Sequence, residues 1–270
     1  MKDAKVLKSN ALIEASYRLS LYEQRIIVIC LGQVRPDAPL TDQQAYTVTA
    51  QALAELTDVS LGSAYENLRS AAERLFDRRI TLAYEPNGGG KVDNVRVTRW
   101  AQEVVYQEES GCIALRFSTP LIPYLSQLTK QFTQYALSDV ARMSSPYAIR
   151  LYELLWQWKD IGAREIEIAW LRKTLELEDS YPSIKDFKVR VLDPSVAQIN
   201  EHTPLAVVWT QRKTGRAVTH LMFTFKLKKE KTAKTTAPKA LTDAYVAKNA
   251  RPGESWEQAR ARLAKASKQA

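Results

Sequence analysis

Two short stretches carry residue types that phosphate or metal chemistry would need, and neither completes a catalytic site. Asn87–Lys91 resembles the end of a phosphate-binding loop, but Glu85 replaces the first glycine of that loop and Val92 its serine or threonine. A metal-dependent nicking site needs paired histidines beside a tyrosine, and His202 and His220 are 18 residues apart. The sequence therefore predicts a hairpin tip at residues 87–91, no metal or cofactor, and no enzymatic activity.

A third stretch has the residues that contact phosphates and bases. Helical spacing from Ser183 onward turns Ile184, Phe187 and Val191 toward a core. The residues left on the outer face or its flank are Ser183, Lys185, Asp186, Lys188, Val189 and Arg190. Lysine and arginine donate hydrogen bonds to guanine acceptors or phosphate oxygens, and a carboxylate accepts one from the cytosine N4 amine. This mixture of bases and one acid favours a helix that reads a DNA sequence.

A cationic turn follows this helix between two apolar stretches of alternating pattern. It contains Arg212, Lys213, Thr214 and Arg216 around a glycine. A flexible hairpin tip with three cations is suited to phosphate or minor-groove contact. Helix and hairpin together indicate a winged helix, in which the second helix of a helix–turn–helix enters the major groove.

The elements that position these residues occur twice along the chain. The first half predicts a helix at 20–34 with a Ser20/Glu23 capping box, a short helix from Thr49 and a helix at 63–78. It also predicts strands at 80–84, 95–106 and 112–117. The second half predicts helices at 145–160, 170–177 and 183–192, followed by a new or kinked segment at Asp193-Pro194. It also predicts strands at 165–168, 205–209 and 218–225. Both halves open on Ser-x-Tyr-x-x-Arg. The sequence predicts an α+β fold of two tandem winged helices with pseudo-twofold similarity.

The first module is less cationic than the second. Its candidate DNA contacts are Ser60, Ser63, Asn67 and Arg69 on the second helix of its helix–turn–helix and Lys91 at the tip 87–91, taken here as its wing. We expect weak, phosphate-positioning contacts that leave its strands free for a protein partner. The predicted domains are 1–128 for dimerisation and phosphate contacts, 129–229 for sequence recognition, and 230–270 as a basic tail.

The net charge of +9 is concentrated in that tail. Residues 226–270 hold 12 Lys and Arg against 4 Asp and Glu, so the rest of the chain is nearly neutral. The Lys/Thr/Ala-rich stretch 226–240 predicts a mobile segment, and 254–268 a short basic helix with Trp256, Ala259 and Leu263 on one side. Two cysteines, a polar N-terminus and the lack of a long apolar stretch predict a cytoplasmic protein without a membrane anchor.

Two long motifs are similar to those of iteron-binding plasmid replication initiators of the Rep type. The first is residues 9–15 with 19–25, and the second is residues 181–200 leading into 213–221. The resemblance covers about residues 6–229 and leaves the tail without a counterpart. It implies a bacterial protein whose monomers bind direct repeats at an origin, open it, and recruit the host helicase and initiator. It also implies dimers, formed through the first module, that repress the protein's own gene at an inverted repeat.

Three other interpretations share some of these features. A tandem winged-helix repressor without a replication role would have the same DNA-binding residues and would bind one palindrome. A nicking relaxase or primase would need catalytic residues that the sequence does not supply. A protein-interaction scaffold would carry winged helices that bind partners in place of DNA.

Overall fold

A computed structural model describes residues 4–34, 40–228, 246, 249 and 254–266. The chain divides into two units, residues 1–228 and 229–270. In chain order the elements are β1 (Lys5–Ser9), α1 (Asn10–Ile13), α2 (Leu21–Leu31), β2 (Tyr46–Thr49), α3 (Ala50–Thr57), α4 (Leu61–Leu75), β3 (Arg79–Tyr84), β4 (Lys91–Arg99), β5 (Ala101–Gln107), β6 (Cys112–Phe117), α5 (Ile122–Leu125), β7 (Phe132–Ala136), α6 (Leu137–Ala141), α7 (Pro146–Trp156), β8 (Ala163–Glu167), α8 (Ile168–Thr174), α9 (Ile184–Phe187), α10 (Asp193–His202), β9 (Leu205–Thr214), β10 (Ala217–Leu227) and α11 (Trp256–Ala266). A π-helical turn, Lys188–Leu192, joins α9 to α10, and 3₁₀ turns occupy Pro86–Gly88 and Thr119–Leu121.

The two winged helices have the same order of elements. In the first, α2, β2, α3 and α4 precede a three-stranded antiparallel sheet of order β2-β6-β5. In the second, α7, β8 and α8 precede the helical run α9–α10 and an antiparallel sheet of order β8-β10-β9. The predicted tandem repeat is confirmed, and the two Ser-x-Tyr-x-x-Arg motifs span the starts of α2 and α7.

Side-chain caps set where the helices of the first winged helix begin. Ser20 accepts from the Glu23 N–H while Glu23 accepts from the Ser20 N–H, which confirms the predicted capping box. Thr49 caps α3 by accepting from the Ala52 N–H, and Ser60 caps α4 by accepting from the Ser63 N–H. The turn of this helix–turn–helix is therefore shorter than predicted, because α4 begins at Leu61.

An extra hairpin separates α4 from the sheet of the first winged helix. Strands β3 and β4 form a separate antiparallel two-stranded sheet, to which Ser16 adds one isolated bridge at Thr81, while β5 and β6 join β2. The stretch predicted as one strand at 95–106 breaks at Trp100, whose side chain is fully buried. The interpretation of residues 87–91 as the tip of the first wing was wrong, since the wing position between β5 and β6 is the turn Glu108–Gly111.

The helix predicted at 183–192 and the segment predicted to start at Asp193 form one helical run. Asp193 has helical backbone angles and directly follows the π-helical turn. Pro194 has no N–H to donate to the carbonyl of Arg190, which removes one ordinary helical hydrogen bond at this point. The irregularity therefore lies within the continuous run, one turn earlier than predicted.

Chain segments far apart in sequence hold the N-terminus against α7. Strand β1 pairs with β7 in antiparallel register, from Lys5 opposite Ala136 to Ser9 opposite Phe132. The ammonium of Lys8 lies 2.6 Å from the carboxylate of Glu153, and both side chains are buried. The Arg150 guanidinium donates to the carbonyls of Ile13 and Ala15. The division of domains at residue 128 stays a prediction.

The second unit is described only in part. Helix α11 matches the helix predicted at 254–268. Ser255 and Gln258 cap its start reciprocally, and Arg262 pairs with Glu254 at 2.8 Å. The segment predicted to be mobile lies, after Lys228, outside the described residues. Among the helices that the structure describes, none has the length and apolar character to cross a membrane.

Candidate nucleic-acid interface

The helix α9 and its π-helical turn present the face predicted from the sequence. Phe187 and Val191 are buried and Ile184 is half-buried, so the predicted inner stripe is confirmed. Ser183 accepts from the Lys185 N–H at 3.2 Å and thereby caps the start of the helix. The exposed residues of this face are Ser183, Lys185, Asp186, Val189 and Arg190. The exposed polar and charged groups therefore lie on the N-terminal turns, the part of a recognition helix that approaches DNA in winged helices.

Lys188 departs from the predicted outward orientation. Its side chain is half-buried, and its ammonium lies 5.7 Å from the ring centre of Trp209 and donates to the side chain of Gln211. Both partners lie on β9, so Lys188 ties the helix to the strand that leads into the wing. A base contact by Lys188 would require this ammonium to leave Gln211 and the Trp209 ring.

The β9–β10 hairpin is the wing of the second winged helix. Gly215 has φ +61°, and the hydroxyls of Thr214 and Thr219 lie 3.0 Å apart across the turn. Arg212 donates to the carboxylate of Glu165 on β8 at 2.7 Å, so this cation is anchored to the sheet. Lys213 and Arg216 are exposed beside the glycine. The turn thus holds two cations outward on a short, cross-braced tip.

Four cations of the helix and the wing remain available to a ligand. Within the described ranges, the side chains of Lys185, Arg190, Lys213 and Arg216 form no ion pair or hydrogen bond with the protein. They lie on the two elements that a winged helix uses for DNA, the recognition helix and the wing. An unpaired cation can bind a phosphate without first breaking an internal ion pair.

Arg172 positions the recognition helix and was not found from the sequence. Its guanidinium donates to the carbonyls of Ser180 at 2.8 Å and Tyr181 at 2.6 Å. It also lies 4.7 Å from the ring centre of Phe187. Arg172 therefore fixes the turn that precedes the helix and packs on its buried face. An arginine in the preceding short helix α8 was the only sequence signal of this role.

The candidate residues of the first module are engaged within the protein. Ser60 caps α4, while the Asn67 amide donates to the carbonyl and hydroxyl oxygens of Ser63. Arg69 pairs with Glu73 at 3.7 Å and with Glu108 at 3.3 Å. Lys91 begins β4, opposite Tyr84, and so lies on the separate hairpin. The structure brings the α4 candidates together on one helix and does not place Lys91 on the wing of its sheet.

Metal-ligating and thiol side chains occur in the described residues without forming a metal-binding cluster. Groups of three or more His, Cys, Asp or Glu side chains that could hold a metal ion are absent from that part of the chain. Cys30 is buried, and burial raises the pKa of its thiol.

Known proteins match both modules of the chain. The family model "Initiator Replication protein, WH1" matches residues 5–156, and "Initiator Rep protein, WH2" matches residues 167–225. A replication initiation protein from Escherichia coli is 26% identical over 239 residues, which cover 85% of this chain and 72% of that protein. The PI protein from Escherichia coli is 25% identical over 256 residues and 83% of each chain.

A solved structure has the same two-domain fold. The Pi initiator protein, crystallised in complex with iteron DNA, superposes with a TM-score of 0.70 at 23% identity. The match covers 85% of this chain and all of that one. The likeness shows two winged-helix domains in the observed order. With the WH1 family model covering more than half of the sequence, the chain belongs to the family of plasmid replication initiator proteins built from two winged-helix domains.

Proposed function

We propose that this protein initiates plasmid replication in the bacterial cytoplasm by binding directly repeated sequences of double-stranded DNA at the origin. The observation that carries the proposal is the set of four unpaired cations on the recognition helix and wing of the second module: Lys185, Arg190, Lys213 and Arg216. The iteron DNA bound by the Pi initiator, which shares the fold, gives the class of ligand. The proposal takes domains 1–128, 129–229 and 230–270 as its functional units.

The second module supplies sequence recognition. Lys185 and Arg190 reach guanine acceptors or phosphates, and Asp186 accepts from cytosine N4, so the helix distinguishes base pairs. Ser183 and Val189 complete its outer face. The wing cations contact phosphates or enter the minor groove and set the register of the helix. Lys188 and Arg212 support these elements through their hydrogen bonds to Gln211 on β9 and to Glu165 on β8.

The first module adds a second, weaker contact to the duplex. Helix α4 occupies the position of a recognition helix but has two arginines, both paired with carboxylates. We expect Ser60, Ser63, Asn67 and Arg69 to position the module on the backbone. Two modules on one face, each in a major groove, span about 20 base pairs. Each direct repeat should therefore protect about two turns of DNA.

Self-association through the first module would switch the protein from initiator to repressor. Strand β4 has a hydrogen-bonding edge without a strand partner in the described structure. Val95 and Val97 on this strand are 62% and 58% exposed. Such an edge favours pairing with a second copy. Monomers would open the origin and recruit the host helicase and initiator, whereas dimers would bind an inverted repeat at the protein's own gene.

Selection of bound duplexes from a random library tests the proposal. Lys185→Ala should weaken binding to the selected site by about 1–3 kcal/mol and relax one base position. Arg216→Ala should weaken all sequences and reduce the slope of log K against log salt by about 0.9. Lys159→Ala is the matched control, because Lys159 pairs with Asp160 on the loop after α7.

The selected sequences also separate initiator from repressor. Sites that recur as direct repeats at the plasmid origin support initiation. Sites found only as one inverted repeat would reduce the function to transcriptional repression. Failure of Lys185→Ala and Arg216→Ala to weaken binding more than Lys159→Ala would refute the assigned DNA surface.

A further inference from the structure

The wings of the two modules have opposite charge. In the second module the β9–β10 tip presents Lys213 and Arg216. At the same place in the first module, the turn Glu108–Gly111 between β5 and β6, here called the acidic turn, presents Glu108 and Glu109. A carboxylate at the tip of a wing repels phosphates. The first module therefore carries at its wing the charge that opposes docking on DNA.

The acidic turn also forms an ion pair with an arginine of α4, the helix in the recognition-helix position of the first module. The guanidinium of Arg69 lies 3.3 Å from the Glu108 carboxylate and 3.7 Å from Glu73. Arg69 is 59% exposed, so a phosphate can reach it once these carboxylates release it. The other arginine of α4, Arg74, is held 3.0 Å from the buried carboxylate of Glu23. Glu108 and a DNA phosphate therefore compete for Arg69.

The protein holds the acidic turn in this competing position. The carbonyl of Gly111 accepts from the Ala50 N–H at the start of α3, at 2.9 Å. The ring of Tyr65 packs on Gly111 so closely that a Cβ at residue 111 would lie 1.7 Å from the ring. Gly111 has φ +55°, a conformation that glycine adopts without strain. The turn is thus anchored to α3 and α4, and the Glu108 carboxylate stays beside Arg69.

We propose that the acidic turn is a specificity filter that keeps the first module off DNA of the wrong sequence. Binding without sequence recognition depends on phosphate contacts. While Arg69 stays paired with Glu108, such binding lacks the phosphate contact that Arg69 could make. On the correct repeat the second module fixes the register, and Arg69 exchanges Glu108 for DNA. The filter lowers affinity for random DNA more than affinity for the repeat. It rests on the proposed function, because it requires both modules to face the same duplex.

Glu108→Gln tests the filter in the full-length chain. On random-sequence duplex we expect binding about five- to tenfold tighter and a salt slope steeper by about 0.9, the value of one added phosphate contact. On the selected repeat we expect less than a threefold gain, because Arg69 already contacts DNA there. Glu103→Gln is the matched control, since it removes the same charge from β5 and breaks an ion pair with Arg116.

A second background isolates Arg69. In Arg69→Gln protein, Glu108→Gln should leave the salt slope on random DNA unchanged. The filter is refuted if Glu108→Gln changes random-DNA binding no more than Glu103→Gln does, or if its effect persists without Arg69. Either result, with the wild-type preference for repeats intact, leaves the proposed function standing. Loss of that preference in the wild-type protein would instead refute the proposed function and the filter with it.

Discussion

Replacing Lys8 with methionine should destabilise the N-terminal unit strongly, because it leaves the Glu153 carboxylate buried without its cation. The two side chains are 1% and 0% exposed and their charged atoms lie 2.6 Å apart. Tyr135 donates to the same carboxylate oxygen at 2.5 Å, and Arg150 lies 3.7 Å from the other oxygen. Glu153 therefore keeps one hydrogen bond and one weak ionic contact after the substitution.

Removal of one partner of a buried pair costs about 3–5 kcal/mol. The nearby Arg150 places the expected loss for Lys8→Met at the lower end, about 3 kcal/mol. That loss is a large part of the 5–15 kcal/mol by which domains are usually stable. With a urea slope near 3 kcal/mol/M, the unfolding midpoint should fall by about 1 M.

Urea unfolding followed by tryptophan fluorescence measures this loss. Lys159→Met is the matched control, because the exposed pair Lys159–Asp160 should be worth less than about 1 kcal/mol. Lys8→Met with Glu153→Gln removes both charges and retains an acceptor for Tyr135. Its loss should be smaller than the sum of the two single losses by about 2 kcal/mol or more. A loss for Lys8→Met equal to that of Lys159→Met, or strict additivity, would refute the reasoning.

Two further predictions concern the first module. Burial raises the pKa of Glu23, but hydrogen bonds from Arg78, the Ser20 N–H and Arg74 outweigh it and leave that pKa lowered. Glu23 therefore stabilises the fold above its ordinary pKa, and this contribution is lost as pH falls through the lowered folded value. Urea unfolding at several pH values should show that the free energy of unfolding of Glu23→Gln falls less toward acid pH than that of the wild-type protein. An equal dependence on pH in the two proteins would contradict this. Gly111→Ala should lower the melting temperature more than Gly62→Ala, where nothing lies near an added Cβ, and equal shifts would contradict the close packing on Tyr65.

Apart from Lys188, local patterns were sufficient to predict which residues between Ser183 and Val191 face the core and which face solvent. Helical spacing placed Phe187 and Val191 in the core and left Lys185 and Arg190 outside, as observed. The cap at Ser20 was readable because a capping box involves residues only three positions apart. Such features depend on neighbours along the chain, so a single sequence shows them.

Features that depend on distant segments were not predicted. The sequence contains strong signals for β3, β4 and their turn, but pairing decides which strands form the wing, and β6 joins β2 and β5 instead. The helical spacing predicts that Lys188 points outward, yet its ammonium contacts Trp209 and Gln211 on β9, a strand that comes later in the chain. The Lys8–Glu153 pair joins residues 145 positions apart. No local pattern identifies such partners.

Nuclease footprinting on the DNA that flanks the protein's own gene tests the central claim most directly. At physiological salt with excess competitor, the full-length protein should protect evenly spaced windows of about 20 base pairs on direct repeats. Lys185→Ala with Arg216→Ala should abolish these windows, and Lys159→Ala should retain them. Protection of a single inverted repeat alone, or no protection at all, would contradict the assignment of this protein as an initiator that binds origin repeats.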